Sequence, residues 1–207
     1  MFDHNLTTSL PIILATESKY KKQILEKLGM PFTATSPCID ETPLNNEPPE
    51  LLVTRLAEQK ALKIAADNPD NYIIGADQVA CFNNQILGKP GTKEEATEQL
   101  TAFSGNKVDF LTGIALYDKN TQQVNSSLDV FSVYFNKLSD ADIEHYLNLE
   151  QPYDCAGSFK SEGIGILLFS KLEGKDPNSL IGLPLISLAK LFDEIGINLL
   201  AHIPSDL

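Results

Sequence analysis

The run IIGADQV at residues 73–79 constrains the fold most, because it places an acid where apolar residues should continue. The apolar part of this run is typical of a buried strand, and Asp77 follows it directly. A buried carboxylate must be paired, hydrated or bound to a cation. Gly75 permits another group to approach the backbone closely. We therefore expect Asp77 to face a ligand cleft; an acid that only caps the next turn is the open alternative.

Composition and charge limit what such a cleft binds. The chain has 207 residues, which is enough to bury a core in one domain or in two closely joined lobes. Its formal net charge of -12 argues against a surface that binds duplex nucleic acid or anionic lipid. The N-terminal sequence has neither the cationic region of a secretory signal nor a membrane span. We expect a cytoplasmic protein without a membrane partner, in which any phosphate site is local.

Cysteine and histidine spacing argues against several kinds of site. The cysteines are odd in number and widely spaced, which predicts small buried thiols rather than a disulfide framework or a CxxC metal site: Cys38, Cys81 and Cys155. The three histidines form no pair with ligand spacing. Neither a zinc site nor a histidine-based triad is expected.

Strand-like and helix-like segments follow one another along the whole chain. Strands are predicted at residues 10–15, 33–36, 73–79, 108–117, 128–136 and 164–172, with a hairpin around Asn83 and Asn84 and a turn-rich segment at 118–127. Helices are predicted before Gly29, at 50–66, from 92 to about 104, after Ser139 and at 183–195. Because both crossover and hairpin connections occur, this order predicts an α/β fold with a mixed sheet.

Hydroxyl and basic residues follow the first predicted strand. Thr16 and Ser18 suit the N-terminus of a helix, where free backbone N–H groups attract anions, and the basic run KYKK begins at Lys19. A solvated basic helix end would have the same sequence. Lys60 falls at the edge of the apolar stripe of the second predicted helix. Its ammonium group either points into a cleft or extends to water.

A loop punctuated by glycines at residues 153–165 carries Lys160 and Glu162. An adaptable surface loop would look similar, but this loop is the sixth of seven motifs that occur in the order LATESKYKKQILEKLG, IDET, RLAEQKA, IIGADQV, ILGKP, YDCAGSFKSEGIG and IGLP. This series closely resembles the Maf family of nucleoside triphosphate pyrophosphatases, over the segment from about residue 12 to residue 196. The resemblance therefore covers almost the whole chain.

The resemblance implies a fold and a substrate. It implies a single domain with a long twisted sheet and a deep cleft between two lobes, related in shape to the inosine triphosphate pyrophosphatases. The motifs CAGSFKSEG and GADQ look like those of the branch that hydrolyses 7-methyl-GTP. The branch that acts on dTTP and UTP has a different glycine-rich sequence, with glutamine in place of the glutamate. A homodimer is a further expectation from the family.

Roles for individual residues also come from the resemblance. Asp77 is implied to be the base that activates water, and Glu41 and Asp77 are implied to hold a divalent cation, Mg²⁺ or Mn²⁺. Further residues are implied to bind the substrate: Thr16, Ser18, Tyr20, Lys21, Lys22, Lys60, Gln78, Lys89, Lys160 and Glu162. Among them, Tyr20, Gln78 and Glu162 are implied to set the specificity. A cationic 7-methylguanine favours the aromatic face of Tyr20 and the carboxylate of Glu162, and the amide of Gln78 can orient the nucleotide or water.

The sequence departs from the family pattern in the first motif. The family has two serines followed by an arginine pair, whereas this chain has Thr16, Ser18, Lys21 and Lys22. Lysine keeps the charge but loses the bidentate fork of arginine. Three alternatives remain open from the sequence: a dTTP/UTP pyrophosphatase, a nucleotide-binding regulator of cell division without catalysis, and a nucleotidyltransferase. The glycine-rich opening motif of the transferases is absent.

Overall fold

A mixed seven-stranded sheet forms the centre of the protein. The structure is a computed structural model that describes residues 10–83 and 85–204, so Asn84 of the predicted hairpin lies outside the described residues. The strands are β1 (Ile12–Ala15), β2 (Phe32–Thr35), β3 (Tyr72–Phe82), β4 (Gln85–Leu87), β5 (Lys107–Asp118), β6 (Gln123–Phe135) and β7 (Phe169–Glu173). Their order in the sheet is β2-β1-β3-β5-β6-β7, with β4 paired to β3. β1 runs parallel to β2 and β3, and the remaining pairs are antiparallel. The predicted mixed α/β fold is confirmed.

In the described part of the chain, five helices pack against this sheet, and their starts follow the expected capping chemistry. They are α1 (Lys19–Glu26), α2 (Pro49–Ala65), α3 (Lys93–Phe103), α4 (Asp140–Glu150) and α5 (Leu185–Glu194). Ser139 and Asp142 form a complete capping box at α4. The side chains of Ser18 and Thr92 accept hydrogen bonds from backbone N–H groups in the first turns of α1 and α3.

One face of the sheet is covered by α2. Gly75 of β3 and Gly113 of β5 point at the backbone carbonyls of Ala57 and Val53, and a Cβ atom at either glycine would collide with them. The two glycines therefore let the helix lie directly on the strands. This close contact brings Lys60 of α2 over the middle of β3.

The opposite face carries two separate apolar clusters. One joins β1 to α1 and α5 through residues such as Leu14, Leu25 and Phe192. The other joins β5 and β6 to α3 and α4 through residues such as Phe103 and Phe110. Between the two clusters the sheet register aligns three polar residues across neighbouring strands: Gln78, Thr112 and Asp129.

Three local predictions are wrong. Only the second part of the predicted strand at 164–172 is extended, because Ile164–Leu168 forms a 3-10 helix in which Gly165 packs against the carbonyl of Lys160. The segment 118–127 is mostly strand, since β5 and β6 continue to a short turn. The three cysteines form no disulfide, but they are not buried as expected: Cys38 is exposed in a loop that lines a cavity, and the other two are half-buried.

Within the described ranges, the helices are all too short or too polar to cross a membrane.

Candidate active site

A cavity of about 700 Å³ opens where β1 ends and β3 continues. The last residue of β1, Ala15, pairs with Gly75, and β3 extends a further seven residues to Phe82. Ligands commonly bind at the carboxyl ends of parallel strands in open α/β sheets. The predicted site residues line this cavity with two exceptions, Lys22 and Lys160. The expectation that Asp77 faces a cleft is confirmed.

An ion-paired cluster forms one wall of the cavity. The ammonium Nζ of Lys60 lies 2.6 Å from Oδ1 of Asp77 and 2.7 Å from Oε1 of Glu41. Lys60 is 7% exposed and Asp77 is 8% exposed, whereas Glu41 reaches solvent. Burial alone would lower the pKa of Lys60, but the adjacent carboxylates outweigh it and raise that pKa. The pKa of Glu41 is lowered, because Lys60 outweighs the opposing effect of burial.

Lys21 brings a second ammonium group to this cluster. Its Nζ donates a hydrogen bond to the backbone oxygen of Ala76 at 3.0 Å, directly before the catalytic candidate in the chain. Burial, reinforced by repulsion from Lys60, lowers the pKa of Lys21 to about 8. Lys89 lines the cavity as well. Three lysines therefore lie beside the carboxylates of Glu41 and Asp77 in a protein of strong overall negative charge, and they are the groups that could bind an anionic ligand.

The turn between β1 and α1 provides polar atoms at the same place. Oγ1 of Thr16 accepts a hydrogen bond from the backbone N–H of Ser18 at 3.1 Å, and Oγ of Ser18 accepts one from the N–H of Lys21 at 3.4 Å. The Thr16 hydroxyl hydrogen therefore stays available to a ligand. The N-terminus of α1 adds backbone N–H groups that favour an anion.

Gln78 leaves β3 on the face opposite to Asp77. Its amide nitrogen Nε2 donates to Oγ1 of Thr112 at 2.9 Å and to the backbone oxygen of Ser179 at 2.5 Å. The hydroxyl of Ser179 in turn donates to the buried carboxylate of Asp129 at 2.6 Å. Gln78 still lines the cavity, so one edge of its amide is held by the protein and the other is available.

Tyr20 and the loop at 153–165 form the outer part of the cavity. The hydroxyl of Tyr20 donates to Asp154 at 3.4 Å, and the thiol of Cys155 donates to that hydroxyl at 3.7 Å. Burial is the largest cause of the raised pKa of Tyr20, and burial also raises the pKa of Cys155 to about 11. Both groups are therefore neutral near pH 7. Glu162 lines the same cavity, and Ser161 donates a hydrogen bond to it at 3.3 Å.

Lys22 and Lys160 do not line the cavity, contrary to what the resemblance implies. The first three residues of α1 all line the cavity, whereas Lys22, the fourth residue of the helix, does not. The Nζ of Lys160 donates to the backbone oxygen of Glu150 at 2.8 Å and lies 3.4 Å from its carboxylate. Lys160 thus ties the loop to α4. It does not pair with Glu162.

The donor set of the cavity fits a hard divalent cation. Each carboxylate of Glu41 and Asp77 has one oxygen paired with Lys60, which leaves a second oxygen on each. Magnesium is commonly held by one or two carboxylates together with substrate phosphates and water. No group of three or more acidic, histidine or cysteine ligands exists among residues 10–83 and 85–204. Phosphate oxygens and water would therefore have to supply the other ligands.

Sequence reasoning missed the support behind Gln78. Asp129, Thr112 and Ser179 are fully or almost fully buried, and none was singled out from the sequence. One signal was present for Asp129, because it shares the inward-facing register of β6 with Phe131 and Val133. An acid on the buried side of a strand needs partners. The outer-cavity residues Asp154 and Cys155 were also missed.

Comparison with known proteins agrees with the motif series. The family model described as Maf-like protein matches residues 11–195. A protein from Pseudoalteromonas atlantica named 7-methyl-GTP pyrophosphatase is 52% identical over 193 residues, which cover 93% of this chain and 99% of that relative. A protein of the same name from Aliivibrio fischeri is 51% identical over 91% of this chain and 98% of its own length.

Solved structures show a weaker similarity. A HAM1 protein from Coxiella burnetii aligns with a TM-score of 0.42 and 17% identity, over 62% of this chain and 74% of that chain. The sequence relationship is far stronger, because it spans nearly the full length of both partners at about half identity. On the family match and these identities, the chain belongs to the Maf family.

Proposed function

We propose that this protein hydrolyses 7-methyl-GTP to 7-methyl-GMP and pyrophosphate. The observation that carries the proposal is that one cavity contains both groups suited to phosphate chemistry and groups suited to binding a cationic base. A carboxylate with lysines lies at the end of β1, and Tyr20 with Glu162 lies in the outer part. Relatives at 51–52% identity carry the name of this activity, which supports the same substrate.

Asp77 is the proposed general base. Its Oδ1 is held by Lys60, whereas Oδ2 accepts no hydrogen bond from the residues that the structure describes. In the proposed reaction a water oxygen attacks the α-phosphorus, the bond from that phosphorus to the bridging oxygen breaks, and pyrophosphate leaves. Oδ2 of Asp77 takes the proton of the water. Lys60 fixes the orientation of the carboxylate and balances its charge.

Positive groups along the inner wall would bind the triphosphate. Lys21 and Lys89 line the cavity, and the N-terminus of α1 presents backbone N–H groups next to Thr16. The replacement of the family arginine pair changes this contact at one position only, because Lys22 does not line the cavity. We expect the loss of the bidentate fork at Lys21 to affect orientation of the phosphates more than the chemical step.

A divalent cation completes the proposed site. Glu41 and Asp77 would hold it, Asp77 through a carboxylate lone pair other than the one on Oδ2 that takes the proton, and Mg²⁺ or Mn²⁺ suits these hard oxygen atoms. Such an ion supplies charge neutralisation on the phosphate oxygens when bound. The residues of the chain keep their own roles in orienting and deprotonating the water.

The base is proposed to lie between Tyr20 and Glu162. Methylation at N7 places a positive charge on the guanine ring, so the face of Tyr20 gains a cation–π attraction. The carboxylate of Glu162 can accept hydrogen bonds from N1 and N2 of the same base. The neutral phenol of Tyr20, held by Asp154, keeps the ring in place.

A product assay tests this proposal. Purified protein is incubated with 7-methyl-GTP, GTP, dTTP and UTP in the presence of Mg²⁺ or Mn²⁺, and released pyrophosphate and monophosphate are quantified. We expect 7-methyl-GTP to be preferred. Preference for dTTP or UTP would support the pyrimidine branch, absence of turnover a regulator, and a monophosphate conjugate a transferase. The cytoplasmic location and the homodimer stay predictions.

A further inference from the structure

A buried carboxylate close to the cavity has no role in the reaction described above. Asp129 lies on β6, and its side chain has no exposed surface. Its oxygens accept hydrogen bonds from Ser179 at 2.6 Å and Ser187 at 3.3 Å, and Lys175 lies 2.9 Å away. A buried carboxylate is costly unless it is fully paired. Asp129 meets this requirement by fastening the segment that contains Ser179 to the sheet.

That segment determines which way the amide of Gln78 points. The backbone oxygen of Ser179 can only accept hydrogen bonds, so the Gln78 atom 2.5 Å from it must be the nitrogen Nε2. The hydroxyl of Thr112 donates its one hydrogen to the same carbonyl at 3.1 Å and therefore accepts from Nε2. Both hydrogens of the Gln78 amide are used inside the protein.

The other end of this amide has no partner in the protein. Oε1 of Gln78 accepts no hydrogen bond from any residue at 10–83 or 85–204. It is also absent from the buried atoms that lack a partner, so this oxygen has contact with solvent. Because Gln78 lines the cavity, the group offered to a ligand is a hydrogen-bond acceptor alone. Phosphate oxygens at neutral pH are acceptors too, so they are unsuitable partners for it.

We propose that Asp129 is a positioning residue that holds Gln78, through Ser179, so that Oε1 binds a ribose hydroxyl of the nucleotide. The inference rests on the proposed function, in which Glu162 takes the N–H donors of the base edge. The ribose hydroxyls are then the donors that remain in the nucleoside. Gln78 and Asp77 are adjacent in β3 and line the same cavity, and the ribose is the part of the nucleoside attached to the α-phosphate on which Asp77 is proposed to act. An amide free to rotate would lose this preference for a donor.

Substrate analogues crossed with variants test the proposal. The value of kcat/KM is measured for 7-methyl-GTP and for its 2′-deoxy and 3′-deoxy analogues. Wild-type protein should prefer 7-methyl-GTP about 10-fold over one of the two, which identifies the hydroxyl. Gln78→Met should abolish that preference, and Asp129→Asn should reduce it to about 3-fold or less through KM, with kcat changed less. A role in folding alone would not change the ratio between two substrates.

Asp109→Asn is the matched control. Asp109 also accepts from a serine at 2.6 Å and pairs with a lysine at 2.8 Å, but its partners Ser132 and Lys107 make no hydrogen bond to the side chain of Gln78, unlike Ser179. This variant should keep the wild-type preference. If Asp129→Asn fails to fold, Ser179→Ala cuts the same link while removing only one oxygen. No discrimination in wild-type protein, or equal ratios in Asp129→Asn and Asp109→Asn, would overturn the proposal.

A measurement without substrate separates this inference from the proposed function. The side-chain amide protons of Gln78 are identified by NMR from the signals lost in Gln78→Glu. Their exchange with solvent should be slow in wild-type protein and at least 10-fold faster in Asp129→Asn or Ser179→Ala. Unchanged exchange in both variants would refute the positioning role. A protein that shows this change but does not hydrolyse 7-methyl-GTP would refute the proposed function and leave the positioning role supported.

Discussion

Asp77 and Gln78 are neighbours in β3, yet their side chains leave the strand on opposite faces and meet opposite kinds of surroundings. Asp77 meets α2, where Lys60 and Glu41 form an ion-paired cluster. Gln78 donates to two neutral groups, the hydroxyl of Thr112 and the backbone oxygen of Ser179. The side chain of Ser179 in turn binds the buried carboxylate of Asp129. One strand therefore delivers a charged group and an orientated amide to one cavity.

The difference between the two faces suggests a division of labour. Charges with mobile protons suit a chemical step, and the paired lysine keeps the carboxylate in position for it. Fixed neutral hydrogen bonds suit selection, because they reject a ligand that lacks the matching group. Changes on the Asp77 face should therefore affect the rate with every substrate. Changes near Gln78 and in the outer cavity should alter the ranking of substrates.

The largest expected effect is that of Asp77→Asn. The amide keeps the shape and can still accept from Lys60, but it cannot take a proton from water. We expect turnover to fall by a factor of about 10² to 10⁴, the usual range for loss of a general base, with all substrates reduced alike. Turnover is measured by pyrophosphate release and folding by circular dichroism. Near-normal turnover would show that Asp77 is not the general base. The proposed difference in function between the two faces of β3 would then be wrong.

Lys60→Met sharpens the charged side of the comparison. Methionine replaces the buried stem but removes the ammonium group that holds two carboxylates. We expect kcat/KM for 7-methyl-GTP to fall roughly 10- to 150-fold, from about 1.5–3 kcal/mol for hydrogen bonds to charged groups. Binding of 7-methyl-GMP, measured as an inhibition constant, should weaken less.

The control for that variant is Lys63→Met, an exposed position on the same helix. It should leave both quantities close to wild type. If Lys60→Met weakens monophosphate binding as much as triphosphate turnover, Lys60 does not act on the reacting carboxylate or the outer phosphates, and its role is structural.

The charged face was predictable from the sequence and the neutral face was not. Asp77 stood out as an acid in an apolar run and Lys60 by its place on a helix, although the residues alone left open whether either side chain faced a cleft. Both signals are local. The contact of Gln78 with Ser179 spans 101 residues and depends on the register of three strands, which the pattern of residues does not determine. The exclusion of Lys22 likewise needed the placement of α1 relative to the cavity, since the three residues before it all line that cavity.

Glu162→Gln tests selection in the outer cavity. The variant keeps the size of the side chain but removes the negative charge that is proposed to accept from the base. We expect the preference for 7-methyl-GTP over GTP to fall by about 1–3 kcal/mol, roughly 5- to 150-fold, while kcat for the remaining substrates changes little. Activity on dTTP and UTP is measured in parallel, because glutamine is typical of the pyrimidine branch.

The exposed Glu144 of α4 offers a matched control. Glu144→Gln removes the same charge from the protein without touching the cavity, so its substrate ranking should equal that of wild type. An unchanged ranking in Glu162→Gln would contradict the proposed specificity and leave the hydrolytic reaction intact.

The smallest expected effect is a dependence on pH that comes from Lys21. Burial holds its pKa at about 8 in the free protein, so its positive charge is lost as the pH rises through that value. A bound triphosphate favours the charged form and raises the pKa again, so binding above pH 8 should take up close to one proton.

Calorimetry of a non-hydrolysable analogue in buffers of different ionisation enthalpy measures this uptake at pH 9. Lys21→Arg should abolish it, because arginine stays charged, whereas Lys22→Arg should not. Without ligand, the unfolded chain binds the extra proton between pH 8 and about 10.5, so Lys21 makes the folded state more stable as pH rises through that window. Equal proton uptake by wild type and Lys21→Arg would show that the phosphates are neutralised elsewhere, and would restrict the charged face to Lys60, Glu41 and Asp77.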